Sequence, residues 1–144
     1  GVDGPTRKRR LDHYLAMFEL QNAAGDLIQS FSRGMQQKLA LTGALLHSPA
    51  LFILDEPMVG LDPRSAHLFK EIMREHVEAG NTVFFSTHVL EVAEQLCHRV
   101  GIINKGELIA CGTMDELRKT SGQVGSNLEK LFLELTDAGD VYEE

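Results

Sequence analysis

The stretch Leu51-Phe52-Ile53-Leu54-Asp55-Glu56-Pro57 decides the fold of this 144-residue chain. Four consecutive apolar residues before two carboxylates and a proline are typical of a short strand that is buried on both faces and ends in a polar turn. Thr82-Val83-Phe84-Phe85-Ser86 repeats the pattern after an amphipathic stretch of helical periodicity. Strands that alternate with helices predict an α/β fold with a parallel sheet and right-handed crossovers.

Helical segments flank both strands. Ser32 and Asp62 stand where capping side chains begin two of these helices, and Pro63 suits a first helical position. Lys105-Gly106, between two apolar blocks, predicts a β-hairpin. From apolar periodicity, the predicted helices cover residues 6–19, 32–47, 63–80, 89–97, 114–120 and 127–135.

Composition excludes several classes of protein. The chain is 43% hydrophobic and 24% charged, which fits one globular domain. Its longest uninterrupted apolar run, Ala50–Leu54, is far shorter than the roughly 18 residues that cross a bilayer. The net charge of -7 disfavours nucleic-acid binding through a positive surface. Cys97 and Cys111 do not form a CxxC pair, which favours reduced thiols.

Polar residues follow both predicted strands, where ligands of parallel sheets bind. Asp55 and Glu56 follow the first strand and His88 follows the second. One of two adjacent carboxylates can reach Mg²⁺ while the other orients a water for attack on a phosphoryl group. His88 can donate to a phosphate oxygen. Taken alone, an acidic turn explains the two carboxylates equally well, and a capping or surface role is the simpler interpretation of His88.

The predicted helix after Ser32 offers a place for an anion. A helix N-terminus presents free N–H groups and partial positive charge. Ser32 adds a hydroxyl, and Gly34 allows close approach to the backbone. Taken alone, Ser32 is explained more simply as an ordinary N-cap, and Asp62 as an N-cap or turn residue or as a contact residue.

Four motifs together resemble the ATP-binding cassette (ABC) ATPase family: Phe31–Lys38, Leu51–Pro57, Gly60–Pro63 and Ser86–His88. The resemblance implies a partial P-loop NTPase core, with parallel strands flanked by helices, plus part of the helical subdomain. It divides the chain into three parts. Residues 1–48 end the helical subdomain and carry the signature motif, 49–112 form a segment of the catalytic core, and 113–144 supply C-terminal helices and an acidic tail.

The resemblance implies that the signature motif, usually Leu-Ser-Gly-Gly-Gln, lies at residues 31–38. In this family two nucleotide-binding domains pair head to tail, and each signature contacts ATP held by the partner. The implied contact residues are Ser32, Arg33, Gly34, Met35 and Gln36. Arg33 replaces the usual glycine and Met35 the usual glutamine. Ser32 and Gly34 keep the geometry of the helix start, so the site is expected to function.

The resemblance also implies the catalytic roles. Asp55 would hold Mg²⁺ through water, and Glu56 would polarise the attacking water. His88 would contact the γ-phosphate as the switch histidine. Asp62, in the D-loop, would help to join two nucleotide-binding domains. The implied cofactors are ATP and Mg²⁺.

The sequence contains no GxxxxGK[ST] phosphate-binding loop. In the family that loop precedes the signature, so we expect this chain to be the C-terminal part of a nucleotide-binding domain that lacks the Walker A region. The chain alone is expected not to hydrolyse ATP, although the parent protein would be an ATPase. Strand edges left unpaired predict self-association of the chain.

The resemblance implies the nucleotide-binding subunit of an ABC transporter, of exporter type. Its partners would be a second nucleotide-binding domain and a transmembrane permease, at the cytoplasmic face of the cell membrane. The alternative is a nucleic-acid- or ribosome-associated ABC ATPase, for which the basic run Arg7–Arg10 is the one hint. A non-catalytic interaction module is a third reading, against which the carboxylates and His88 argue. We expect no nucleic-acid partner.

Overall fold

The computed structural model describes residues 1–120 and 126–140 of the chain. It forms two compact units, Gly1–Ser86 and the part that begins at Thr87. The end of the predicted acidic tail, residues 141–144, lies outside the described residues. The three-part division at residues 48 and 112 stays a prediction.

The first unit contains the predicted parallel strands. Strand β1 pairs with β2 in parallel, with Leu51 opposite Thr82 and Leu54 opposite Phe85. Helix α3 connects the two strands, so the expected α/β crossover is confirmed. The elements are α1 (Gly4–Met17), two single 3₁₀ turns (Gln21–Ala23 and Ile28–Ser30), α2 (Arg33–Leu45), β1 (Leu51–Leu54), α3 (Pro63–Glu78) and β2 (Thr82–Phe85).

Each long helix of the first unit begins at a capping side chain. Asp3 accepts from the Thr6 N–H at 2.9 Å at the start of α1. Ser32 and Asp62 cap α2 and α3 in the same manner, as predicted. Such caps each contribute about 1 kcal/mol to helix stability.

Part of the core of the first unit packs against one face of the short sheet. Phe52 of β1 is buried, and its ring meets the edge of Phe69 of α3 with centroids 6.4 Å apart. Ile72 and Met73 of α3 are buried as well. Near the α3 end, His76 Nε2 lies 2.8 Å from the Pro49 carbonyl oxygen.

The prediction that β1 is buried on both faces, and that β2 is a second buried strand, is wrong for this chain. Leu51 is 52% exposed, and Ile53 and Phe84 are each 66% exposed. Alternate side chains of a strand point to opposite faces. Phe52 on the inner face is buried, whereas Leu51, Ile53 and Phe84 on the outer face remain in contact with solvent. The sequence pattern shows that the strand is apolar, but it does not show which face of the strand packs against other elements of the chain.

The second unit is built on a β-hairpin. Its elements are α4 (Leu90–Leu96), β3 (Val100–Asn104), β4 (Glu107–Gly112), α5 (Met114–Thr120) and α6 (Leu128–Asp140). The turn residues Lys105 and Gly106 have φ angles of 48° and 84°, which suits a tight two-residue hairpin turn and confirms the predicted hairpin. The buried core of this unit consists of Ala93, Ile102, Leu117, Leu128 and Leu131.

The strands form two sheets rather than one. Over the described ranges, β1 and β2 make a two-stranded parallel sheet, and β3 and β4 make a separate antiparallel one. Within residues 1–120 and 126–140, no helix is both long and apolar enough to span a membrane.

Candidate functional site

Three residues meet at the carboxyl ends of the parallel strands. The Ser86 hydroxyl donates to Oδ1 of Asp55 and accepts from the Glu56 backbone N–H at 3.0 Å. The Ser86 backbone N–H donates to the Leu54 carbonyl oxygen, also at 3.0 Å. Ser86 therefore joins the end of β2 to the two carboxylate residues that follow β1.

The two adjacent carboxylates occupy different environments. Asp55 is exposed, whereas Glu56 is half-buried. The backbone of Glu56 has a φ of 45°, in the left-handed region that residues with a Cβ atom seldom adopt. The chain thus changes direction sharply between Asp55 and Pro57, as a turn after a strand requires.

The donor set at this turn fits Mg²⁺ that arrives with a nucleotide. Asp55 and Ser86 offer hard oxygen atoms. In the parts of the chain that the structure describes, no group of three or more His, Cys, Asp or Glu could hold a metal ion by itself. Mg²⁺ in nucleotide sites takes one or two protein carboxylates, keeps several waters and is otherwise held by phosphates. A single exposed carboxylate is what such a site needs from the protein.

The start of α2 has the geometry of an anion site. Ser32 Oγ accepts from the Met35 N–H at 3.2 Å, so the Met35 donor is used within the cap. The N–H groups of Arg33 and Gly34 precede it in the first helical turn, where backbone donors have no partner within the helix. The Ser32 hydroxyl still has its proton to donate.

The other signature positions differ in exposure. Arg33 is exposed and Met35 is half-buried. The side-chain amide of Gln36 donates to the Phe31 carbonyl oxygen at 3.2 Å, which ties it to the residue before the cap.

A contact within the chain explains Gly34 independently of any phosphate. A Cβ atom on residue 34 would lie 2.8 Å from the Gly60 carbonyl oxygen, closer than real Cβ contacts allow. Gly60 itself has a φ of 82°. The start of α2 and the loop after β1 therefore approach each other at a distance that only glycine permits.

Two further contacts join α2 to this loop. The Gln37 side-chain amide donates to the Pro57 carbonyl oxygen at 3.2 Å. Lys38 Nζ lies 2.8 Å from Oδ2 of Asp62, and Ser65 donates to the same carboxylate through its N–H and its hydroxyl. These bonds hold the pKa of Asp62 well below its ordinary range. The bond from Lys38 has the largest effect, and those from Ser65 have smaller ones.

Sequence reasoning missed Gln37, Lys38, Ser65 and Ser86 as parts of the site. Lys38 lies one helical turn after Gly34 and therefore on the same face of α2, a spacing that the sequence does show. Ser86 belongs to the motif that ends in His88, and the sequence alone assigns it no role of its own.

His88 lies in the second unit, two residues before α4 begins. It is exposed and lines an open pocket together with Glu91, Glu94 and Asn127. Acidic side chains repel phosphate, so this pocket by itself is not a nucleotide site. The switch role of His88 stays a prediction.

Known proteins resemble this chain over most of its length. A family model described as "AAA domain, putative AbiEii toxin, Type IV TA system" matches residues 4–94. The ABC-type transporter ATP-binding protein EcsA of Bacillus subtilis is 40% identical over 141 residues, which cover 96% of this chain and 57% of EcsA. A solved structure titled "Structure of ATP binding subunit of ABC transporter" superposes with a TM-score of 0.89 at 37% identity, over 94% of this chain and 56% of that one.

The chain belongs to the ABC family. A second solved ABC protein, a dimer in a post-hydrolysis state with ADP and Pi, superposes with a TM-score of 0.68 at 27% identity, over 79% of this chain and 50% of that one. The daunorubicin/doxorubicin resistance ATP-binding protein DrrA of Streptomyces peucetius is 40% identical over 133 residues, 92% of this chain and 39% of DrrA.

The comparisons confirm the predicted family and the P-loop NTPase fold of ABC ATPase domains. The chain spans 57% of the length of EcsA and a smaller share of DrrA. The roles of the individual ABC site residues stay predictions, since the comparisons concern the chain as a whole.

Proposed function

We propose that this chain is part of the nucleotide-binding subunit of an ABC transporter of exporter type. The subunit hydrolyses ATP between two head-to-tail domains and thereby drives a transmembrane permease. The observation that carries the proposal is the pair Asp55 and Glu56, which Ser86 holds at the carboxyl end of β1. The names of EcsA and of the resistance protein DrrA support a transporter.

The residues divide the work of hydrolysis between two places. Glu56 accepts a hydrogen bond from the attacking water and takes up its proton as the new oxygen–phosphorus bond forms, while the bond from the γ-phosphorus to the β–γ bridging oxygen breaks and ADP leaves. Asp55 would hold the Mg²⁺ that arrives with ATP, through a metal-bound water. Mg²⁺, when bound with ATP, neutralises charge on the phosphate oxygens. His88 donates to the γ-phosphate from the segment after β2.

The second place is the start of α2. The Ser32 hydroxyl and the N–H groups of Arg33 and Gly34 donate to the γ-phosphate of ATP bound by the partner domain. Arg33 adds a positive charge there. Asp62 is kept ionised by Lys38 and Ser65, and it contributes to the pairing of the two domains.

The partners follow from this mechanism. A second nucleotide-binding domain completes the site, which the dimeric relative with ADP and Pi supports. The permease places the subunit at the cytoplasmic face of the cell membrane. The chain by itself would associate with further copies, because among the described residues the outer edges of β1 and β2 have no neighbouring strand.

The alternative of a nucleic-acid- or ribosome-associated ABC ATPase has little support. The net charge is -7, and of the relatives named above EcsA is named as a transporter protein and DrrA as a drug-resistance protein. Arg10, the last residue of the basic run Arg7–Arg10, donates to the Leu46 carbonyl oxygen at 2.7 Å. That arginine has a structural role after α2 and is not simply part of an open basic patch.

The test measures phosphate release by the full-length protein that carries this chain. Glu56→Gln should lower kcat by about 10²–10⁴-fold, as expected for loss of a general base. Glu78→Gln, the same change at an exposed residue of α3, is the control. Equal loss in both variants, or full activity without Glu56, would contradict the proposal. Co-sedimentation with ribosomes would instead favour the alternative.

A further inference from the structure

We propose that Ser86 is the positioning residue for the two carboxylates of this site. It lies directly after β2, and its side chain bonds to the Asp55 carboxylate and to the Glu56 backbone. The inference deepens the proposed function and rests on it, because it assigns how Asp55 and Glu56 acquire the arrangement that hydrolysis needs.

Ser86 makes three hydrogen bonds to the strand and turn beside it. Its N–H donates to Leu54, its hydroxyl donates to Asp55, and its oxygen accepts from the Glu56 N–H. These are three consecutive residues of the neighbouring strand and turn. One small side chain and its backbone thus define where the turn begins.

The backbone of Glu56 depends on one of these bonds. Its φ of 45° lies in a region that residues with a Cβ atom avoid, so the turn needs support from its surroundings. The Ser86 oxygen supplies an acceptor for the Glu56 N–H at 3.0 Å. Loss of that acceptor removes a reason for Glu56 to keep this conformation.

Ser86 also orients the carboxylate of Asp55. A hydroxyl has one proton, and Ser86 gives it to Oδ1. This bond fixes the rotation of the carboxyl group and leaves Oδ2 for a metal-bound water. The Ser86 hydroxyl therefore orients Asp55 by donating to its carboxylate, and it orients Glu56 by accepting from its backbone N–H.

The substitution Ser86→Ala removes the two bonds of the hydroxyl, to Asp55 and to the Glu56 N–H, and keeps the backbone bond to Leu54. Ser86→Thr keeps the hydroxyl and adds one methyl group at an exposed position. The control is Thr82→Ala, which deletes a hydroxyl from an exposed residue at the opposite end of β2.

The first experiment uses NMR on the 144-residue chain. It measures the hydrogen-exchange rate of the Glu56 amide and the coupling between the Glu56 N–H and Hα protons, which depends on φ. Ser86→Ala should speed exchange at Glu56 by about tenfold, the value of one modest hydrogen bond, and change the coupling. Thr82→Ala should leave both unchanged, and Ser86→Thr should restore wild-type values. The proposal would be overturned if folded Ser86→Ala kept the wild-type exchange rate and coupling at Glu56. It would also be overturned if folded Ser86→Thr showed the same altered values as Ser86→Ala.

The second measurement separates this proposal from the proposed function. In the full-length protein, Ser86→Ala should lower kcat by about tenfold with the KM for ATP nearly constant, and Ser86→Thr should recover it. An active wild type whose Ser86→Ala variant keeps full kcat would overturn the positioning role. An inactive wild type whose Glu56 amide still responds to Ser86→Ala would contradict the ATPase proposal and support the positioning role.

Discussion

The carbonyl oxygen of Gly60 lies 2.8 Å from the point where a Cβ atom of Gly34 would stand. This contact joins the first turn of α2 to the loop after β1. It means that the proposed anion site and the segment that carries Asp62 hold each other in place. Gly34 thus has a structural requirement besides its proposed contact with phosphate.

Gly34→Ala should destabilise the chain. The added methyl group would force the loop away from α2, and such overpacking costs about 1–3 kcal/mol. Urea unfolding followed by circular dichroism measures the change.

Gly43→Ala is the matched control for this substitution. Gly43 lies in the same helix with open space around it, so alanine should stabilise by about 0.5–1 kcal/mol. A Gly34→Ala variant as stable as Gly43→Ala would show that the close approach to Gly60 does not hold in solution.

Lys38→Met should raise the pKa of Asp62 toward its ordinary value of 3.8. The Asp62 carboxylate loses the bond from Lys38, which lowers its pKa most, and keeps the bonds from Ser65. The pKa of Asp62 therefore rises only in part. NMR titration of the Asp62 carboxyl carbon measures it, and Lys8→Met on the exposed side of α1 is the control.

The same substitution alters acid stability in a defined direction. The folded pKa of Asp62 is lowered, so its contribution to stability is present above 3.8 and is lost as pH falls through the folded value. Lys38→Met should therefore weaken the chain at neutral pH and make its stability less dependent on pH below 3.8. An Asp62 titration identical in both proteins would exclude the ion pair.

The purified 144-residue chain should not hydrolyse Mg²⁺·ATP. It has no GxxxxGK[ST] sequence and so lacks the backbone cradle and the lysine that hold the nucleotide phosphates. Phosphate release from wild type and Glu56→Gln should be equally at background. Hydrolysis by the wild type that Glu56→Gln abolishes would contradict this expectation.

The isolated chain should self-associate through the β1–β2 sheet. Its outer face carries exposed apolar side chains, and its edges have free backbone groups in the described structure. Sedimentation velocity should show a dimer or larger species that Ile53→Lys with Phe84→Lys disperses. Leu27→Lys, at an apolar residue 76% exposed outside the sheet, should change little; equal dispersal by it would point to unspecific association.

Local chemistry made some of these features predictable from sequence. Lys105-Gly106 predicts its hairpin because positive φ angles there favour glycine. Ser32 and Asp62 predict their helices because a short acceptor at an N-cap satisfies a free N–H.

Contacts between distant parts of the sequence were not predictable in the same way. The exposure of Ile53 depends on what covers the sheet, which an apolar run does not encode. The bonds of Ser86 to the turn after β1 and of Lys38 to Asp62 arise only once the elements pack. The motif order indicated the family, whereas these supporting side chains required the fold.

The left-handed backbone of Glu56 has a consequence for tolerance to substitution. Folding alone would favour glycine or asparagine at this position and would disfavour β-branched residues. A deep mutational scan scored for stability should therefore rank Gly and Asn at or above Glu, while one scored for turnover should accept Glu alone. Glutamate is not the residue that best stabilises this backbone conformation. The difference between the stability ranking and the turnover ranking would therefore measure how strongly the carboxylate itself is required.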